Sequence, residues 1–348
     1  MSYKIKHIAV IRRSAMGDVA MTVPVLRQLV AQYPELKITV VSKGFFKPFF
    51  DDIPNVSFLA ADTPERGTGL SGIIRLFRDL RKLKVDALAD LHNVLRSKIL
   101  RLLFAMVGKN TASTDKARAE KRALIRPENK VFKPLKPVTE RHAEVFAALG
   151  FPIDLSHPIF PANKQMDEVV RSLAGAKSGQ WIGIAPFAQH QGKVYPADLM
   201  QQVIDQLAEN ASDRIFLFGA GNAETDILNR FAKGRENVIV VAGKIKFTQE
   251  LQLISNLDLM LSMDSGNAHI AAMYGVKTVT LWGATHPFTG FAPFAQPLGN
   301  ALTADREQFP KLPTSVYGNV KVAGYEDAMR TIAPDTIIAK IHTLLASR

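Results

Sequence analysis

The sequence has no cysteine in 348 residues. Disulfides, thiolate metal sites and cysteine nucleophiles are thereby excluded, and a reducing compartment is compatible with the absence. Long apolar runs are missing too. None approaches the roughly 20 residues of a membrane-spanning helix. The N-terminal stretch 1–11 interleaves Lys4, Lys6 and His7 with apolar residues, too short and polar for a signal sequence. The chain is expected to be soluble, or peripheral to a membrane at most. His92, His142, His190, His269 and His286 show no metal-ligand spacing, so no structural metal is expected. Acids are scarce relative to bases: 32 Asp and Glu against 44 Lys and Arg give a formal charge of +12. Such a surface attracts phosphate-bearing partners.

What is present is an ordinary globular composition, 47% hydrophobic and 22% charged, at a length that suits two domains. The basic excess is uneven. Residues 96–141 hold 13 Lys and Arg against four acids, Asp115, Glu120, Glu128 and Glu140. Two readings of this stretch stand level: a solvated basic face, or a surface for acceptor phosphates or an anionic membrane. Its only aromatics are Phe104 and Phe132, few for stacking on nucleic-acid bases, so no nucleic-acid partner is expected.

Apolar runs and helical periods alternate along the chain. Strands are expected at 7–11, 37–42, 55–60 and 87–91, and helices at 19–33, 70–83, 96–107 and 140–149. Residues 127–137 carry three prolines and read as a loop. After a Pro/Gly-rich break within 151–179 the pattern restarts. Strands follow at 180–185, 214–218, 238–241, 257–262 and 277–282, and helices at 197–209, 224–232, 249–256 and 266–274. A last helix is read over 334–347. The expected organisation is therefore a first domain 1–165, a second 178–330 and a C-terminal helix 334–348. Alternation at this spacing indicates parallel sheets with helices on both faces. In such sheets ligands bind beyond the carboxyl ends of the strands, so two such sheets would place chemistry in a cleft between the halves.

Four loops carry candidate chemistry. In Ser14-Ala15-Met16-Gly17-Asp18, Gly17 lets backbone approach a ligand closely. Asp18 stands near a helix N-terminus, which keeps a carboxylate ionised and fit to act as a general base; a helix cap is the equal alternative. In Asp264-Ser265-Gly266-Asn267-Ala268-His269, Asp264 or Ser265 would cap the next helix, whose free N–H groups would cradle a phosphate. His269 reads first as a packing residue. Lys193, on a polar loop after a strand, has the charge to neutralise a leaving diphosphate. Gly219-Ala220-Gly221-Asn222-Ala223-Glu224 resembles a dinucleotide fingerprint, with Glu224 at the third glycine position. Lys244 would serve an NADP site; alternatively, Glu224 would bind ribose hydroxyls.

Together these loops resemble glycosyltransferase family 9, the bacterial lipopolysaccharide heptosyltransferases. The resemblance is carried by Arg13 to Val19 with Thr22-Val23-Pro24, by Asp86 to Asn93 with Arg96-Ser97, and by Met263 to Ala271. Leu281 to Pro287 with Gly290, and Met329 to Pro334, complete it in the family's order. Departures are Met21, where the family often has histidine, His286, where Asp or Asn is usual, and the lack of cysteines. The resemblance implies a GT-B architecture: two Rossmann-like domains, the N-terminal one for the acceptor and the C-terminal one for the nucleotide sugar. It implies inverting transfer of heptose from ADP-heptose to the lipid-anchored inner core of lipopolysaccharide, with no cofactor and no obligatory metal. The enzyme would be cytoplasmic, with peripheral contact to the inner membrane.

On this resemblance Asp18 falls on the general base. Lys193, Glu224, Asp264, Ser265, Gly266, Asn267 and His269 fall on the nucleotide and diphosphate site. Arg13, Ser14, Met16, Gly17 and Arg96 fall on the acceptor side. Three alternatives are weighed against it: a nucleotide-sugar epimerase or hydrolase of the same fold, an NADP-dependent oxidoreductase, and a nucleic-acid binder.

Overall fold

The computed structural model describes residues 5–63 and 69–347; of the N-terminal stretch read above, residues 1–4 lie outside the described residues. The chain divides into two compact units. The first comprises 1–117 and 136–160, the second 118–135 and 161–348. The chain therefore passes between them three times. Residues 118–135, drawn within 1–165 from sequence, group with the second unit.

The first unit is built on five strands, β1 (His7–Ile11), β2 (Lys37–Ser42), β3 (Val56–Ala60), β4 (Ala87–Asp90) and β5 (Asn110–Ser113), in the order β3-β2-β1-β4-β5. All pairs are parallel. The middle strands are apolar except at their ends, His7 and Asp90: Ile8, Ala9, Val10, Ala87, Leu88 and Ala89 are at most 1% exposed. Burial on both faces is what a parallel sheet between helices demands. Helices α3 (Gly69–Lys82) and α4 (Leu95–Met106) pack beside each other, as do α2 (Thr22–Gln32) and α6 (Val138–Ala148).

The helix read over 19–33 begins earlier and breaks. A short α1 (Met16–Ala20) precedes α2, with Met21 at the joint. Pro24 has no N–H to give Ala20, and the Thr22 hydroxyl donates to Val19 O at 2.6 Å. Helix α5 (Arg118–Ile125), unread in the sequence, belongs to the second unit.

The second unit repeats the plan with six strands: β6 (Trp181–Ala185), β7 (Arg214–Leu217), β8 (Val238–Val240), β9 (Leu259–Met263), β10 (Lys277–Trp282) and β11 (Ala301–Thr303). Their order is β11-β10-β9-β6-β7-β8, all parallel. Helices α8 (Ala197–Leu207), α9 (Gly221–Phe231), α10 (Phe247–Ile254) and α11 (Gly266–Met273) fill the crossovers; α7 (Glu168–Ala174), ahead of β6, packs on α10, and α12 (Pro334–Ala346) packs on α8.

In each sheet the chain works outward from a central strand and then returns to its other side. The strand order thus reverses between β1 and β4 and between β6 and β9. Open α/β sheets bind ligands at this switch point, beyond the carboxyl ends of the strands. Among the described residues no helix is long and apolar enough to cross a membrane, and no group of three or more His, Asp or Glu side chains is placed to hold a metal ion.

Candidate active site

At the first switch point, the loop after β1 faces the loop after β4. Arg12, the first residue beyond β1, donates from Nη1 to Leu91 O at 2.7 Å, tying the two loops together. Its Nη2 pairs with the Asp18 carboxylate. Asp18 lies in the first turn of α1 and accepts the Ala15 N–H at 3.2 Å. It is thus both a helix-start acceptor and the partner of a guanidinium. Two imidazoles feel this pair. His142, on α6, is 1% exposed, and burial first, then the Arg12 charge, pushes it down to about 3. His92, after β4, is pushed down to about 4 by the same two causes. Below them Asp90 is fully buried, one oxygen accepting from the backbone of His92 at 3.0 Å and Asn93 at 2.7 Å.

Beside this cluster the first unit holds a cavity of about 250 Å³. Of the residues assigned to the acceptor side, Arg13, Ser14 and Arg96 line it; Met16 and Gly17 sit on α1 outside the lining. The basic stretch 96–141 is not one face. Its middle belongs to the second unit and its ends to the first. Much of it is engaged internally: Lys130 donates to Leu124 O, Lys311 O and Pro313 O at 2.8–3.0 Å, and Lys121 lies 4.3 Å over the Phe291 ring. Phe104 is fully buried and Phe132 lies under Arg306.

At the second switch point, Lys193 closes a short 3-10 turn (Gln191–Lys193) after β6, and Asp264 follows β9. Lys193 Nζ meets Asp264 Oδ2 at 2.9 Å, with the two side chains 14% and 9% exposed. Thr285 Oγ1 donates to the same Asp264 oxygen at 2.8 Å. The Lys193 stem runs against Gly318, where a Cβ would come within 2.4 Å of Lys193 Cδ and where φ is +83°. Backbone fixes the turn as well: Ala284 N donates to Gly192 O at 2.8 Å.

The expected cap on α11 is not made by either candidate. Ser265 stands at the N-cap without a side-chain cap, and its hydroxyl meets Ser262 Oγ at 3.0 Å. Asp264 turns instead to Lys193 and Thr285. Among the described residues the start of α11 thus has no side-chain cap, and its first-turn N–H groups over Gly266 and Asn267 remain available as donors. His269 is 6% exposed in the next turn. Glu224 lies in the first turn of α9, accepting the Ala220 N–H at 2.8 Å. No hydrogen bond joins it to the Lys193–Asp264 pair among the described residues. Gly219 separates it from Phe187 on the Lys193 loop; a Cβ there would lie 3.1–3.2 Å from both.

Sequence reading missed Arg12, Thr285, Gly318 and His142. Arg12 and Lys193 hold matching places, each bridging from the loop after a central strand to the loop after its neighbour across the switch point. A basic residue in that loop in both halves is the signal that was available.

Comparisons with known proteins accord with this arrangement. The profile of glycosyltransferase family 9 (heptosyltransferase) matches residues 73–321, a span that includes Arg96, Lys193, Glu224 and 264–269 and begins after Asp18. The lipopolysaccharide core heptosyltransferase OpsX of Haemophilus influenzae is 24% identical over 346 residues, 97% of each chain. The crystal structure of a family 9 glycosyltransferase from Veillonella parvula shares the fold at a TM-score of 0.75 and 20% identity, covering 100% of this chain and 99% of that one. The Escherichia coli heptosyltransferase WaaC with ADP does so at 0.67 and 18%, covering 97% and 99%. Two parallel-sheet α/β units of GT-B type, with the family profile spanning most of the chain, make this protein a member of glycosyltransferase family 9, the heptosyltransferases.

Proposed function

We propose that the chain transfers a heptose from ADP-heptose to the inner core of lipopolysaccharide with inversion at the anomeric carbon, working from the cytoplasm on a lipid-anchored acceptor. The observation that carries this reading is the Lys193–Asp264 pair at 2.9 Å beside the uncapped start of α11. Asp264 uses one of the three ammonium protons, and Thr285 shares that carboxylate, so Lys193 is held in place with donors left for a diphosphate. Glu224 is the candidate for the ribose hydroxyls. The names of the relatives and the ADP in the WaaC structure support the donor class.

In the step itself the acceptor hydroxyl attacks the anomeric carbon and loses its proton to the Asp18 carboxylate. The bond from that carbon to the diphosphate oxygen breaks, and ADP leaves with the charge. Lys193 and the N–H groups of Gly266 and Asn267 meet that charge where it develops. Arg12, paired with Asp18, fixes the orientation of that carboxylate. A carboxylate suffices because the hydroxyl becomes strongly acidic as its oxygen bonds to carbon. Peripheral contact with the inner membrane belongs to the same reading.

Replacing Asp18 with Asn tests the base. Transfer from ADP-heptose should fall at least about 100-fold, the lower range for removing a general base. ADP-heptose should still raise the melting temperature of the variant, and more than GDP- or UDP-sugars do. Full turnover by the variant would remove Asp18 from the mechanism. Consumption of donor by the native protein without acceptor would favour an epimerase or hydrolase.

A further inference from the structure

Helices α3 and α4 lie side by side on one face of the first sheet, where the Phe77 and Phe104 rings meet edge-on at 5.3 Å. Each buries one stripe against the sheet: Ile73, Leu76 and Leu80 on α3, and Ser97, Leu100 and Phe104 on α4. The opposite stripes face solvent, and neither is an ordinary mixed surface. At 3.6 residues per turn, Leu95, Ile99, Leu102 and Met106 fall on one line along α4, pointing away from the buried one. Ile99 is half-buried, and the other three are between 61% and 74% exposed. The line runs for about 16 Å. The matching line on α3 is Ser71, Arg75, Arg78 and Lys82, all exposed. An apolar ridge therefore stands next to a cationic one.

Single exposed apolar side chains are ordinary on any surface, but several in register on one helix mark a contact face. A helix that met only water would carry polar residues along that line. The charges on α4 are Arg96, Lys98 and Arg101, with no acid. On α3 the cations Arg75, Arg78, Arg81 and Lys82 stand against one acid, Asp79. Apolar and cationic ridges in parallel suit the plane of a lipid–water boundary. The apolar side chains reach the upper acyl region, and the long Lys and Arg stems keep their charges among the headgroups. A second copy of the chain is the competing occupant of an apolar ridge. Two-fold pairing would set Lys98 beside its own copy and bring the α3 cations together, with only Asp79 to answer them. Charge complementarity thus selects an anionic partner.

We propose that the outer faces of α3 and α4 dock the protein on an anionic lipid bilayer, with Leu102 and Met106 entering the boundary between headgroups and acyl chains. The proposal rests on the peripheral membrane contact of the proposed function and gives that contact a surface and a lipid class. Both helices begin at the cavity of the first unit, which Gly72 and Val94 line. Docking through them holds the acceptor side at the surface where a lipid-anchored acceptor lies.

The test uses the full-length protein and unilamellar vesicles, either of phosphatidylcholine alone or of phosphatidylcholine and phosphatidylglycerol in equal parts. One variant combines Leu102→Gln with Met106→Gln, the other Arg78→Gln with Lys98→Gln. All four side chains are exposed, so both variants should melt at the native temperature. The native protein should sediment with the anionic vesicles and not with the neutral ones. The apolar variant should lose at least about tenfold in partitioning, and the charge variant about fivefold per cation removed. On deacylated, water-soluble core oligosaccharide both should keep the native kcat and KM. On the full acceptor set in anionic vesicles, turnover should fall as partitioning does. Native-strength binding by either variant, or no binding by the native protein, overturns the proposal. So does a native dimer that the apolar variant splits in analytical ultracentrifugation, because the ridge is then a self-interface. Vesicle binding without any heptosyl transfer would keep the docking face and overturn the function it serves. Transfer to the deacylated acceptor without vesicle binding would do the reverse.

Discussion

Burial without a partner sets Glu250 apart from the other carboxylates. It stands in the first turn of α10, its carboxyl has no hydrogen bond or ion pair among the described residues, and desolvation alone raises its pKa to about 7. Below about pH 4.5 the acid is protonated in both folded and unfolded chains. Between there and 7 the folded chain keeps a proton that the unfolded one gives up. Above 7 the native state bears a poorly solvated charge, so the stability present at low pH is lost as pH rises through 7. Glu250→Gln should therefore leave stability unchanged below pH 5 and add on the order of 1–3 kcal/mol above pH 8. Denaturant unfolding at the two pH values checks this; an equal gain at both would point to packing and not charge. His142 and His92 have the opposite sign. Their depressed values mean that native stability falls as pH drops through about 6.5, and that Arg12 and Asp18 face neutral rings at neutral pH.

Helices and strands were legible where their burial is two-sided or strongly periodic. Strands β1, β2, β6 and β10 stand within a residue of their expected bounds because β-branched runs buried on both faces leave no competing period. Strands β5 and β11 were not read. Asn110-Thr111-Ala112-Ser113 and Ala301-Leu302-Thr303 are edge strands, short and half-exposed, and polar side chains at a sheet edge carry no apolar signal. The loop read over 127–137 is free of helix and strand, but sequence could not say what it packs on. Phe132 meets His286 and Phe288 at ring distances of 4.9 and 4.8 Å and stacks under the Arg306 guanidinium at 3.4 Å. Leu135 N donates to Phe288 O at 2.9 Å. The segment thus braces the loop that begins at Thr285, the residue bonded to Asp264. Phe132→Ala should cost about 2–4 kcal/mol of stability in the second unit and speed exchange of the Leu135 amide. Unaltered exchange at Leu135 would mean that the segment is held elsewhere.

Across the whole molecule, two sheets share one strand order, and each has a cation bridging its switch point. The candidate site was legible as far as the segments just after strands: Lys193 and Asp264 lie on turns there, and Asp18, Glu224 and Gly266 to His269 at the starts of the helices that follow. It stopped being legible where a contribution comes from a distant element, as with Thr285, Gly318 and His142, because those positions gain meaning only once strands are placed side by side. The split of the basic stretch was hidden for the same reason. Charge counted along a chain says nothing of which unit receives it.

The excursion of residues 118–135 also sets an order of assembly. Everything the first unit needs has been synthesised once residue 160 is out, but the partners of the excursion, Phe288, Arg306 and Pro313, come more than a hundred residues later. During synthesis the growing chain must therefore hold a basic, partly apolar segment unburied while the unit around it closes. A fragment ending at residue 160 should fold with this segment open to trypsin, which has Arg118, Lys121, Arg122 and Lys130 to cut, whereas the full chain should resist there. Equal resistance in fragment and full chain would show that the excursion needs no second unit to settle. A stretch translated late, around residues 288–313, thus covers a segment laid down in the first half.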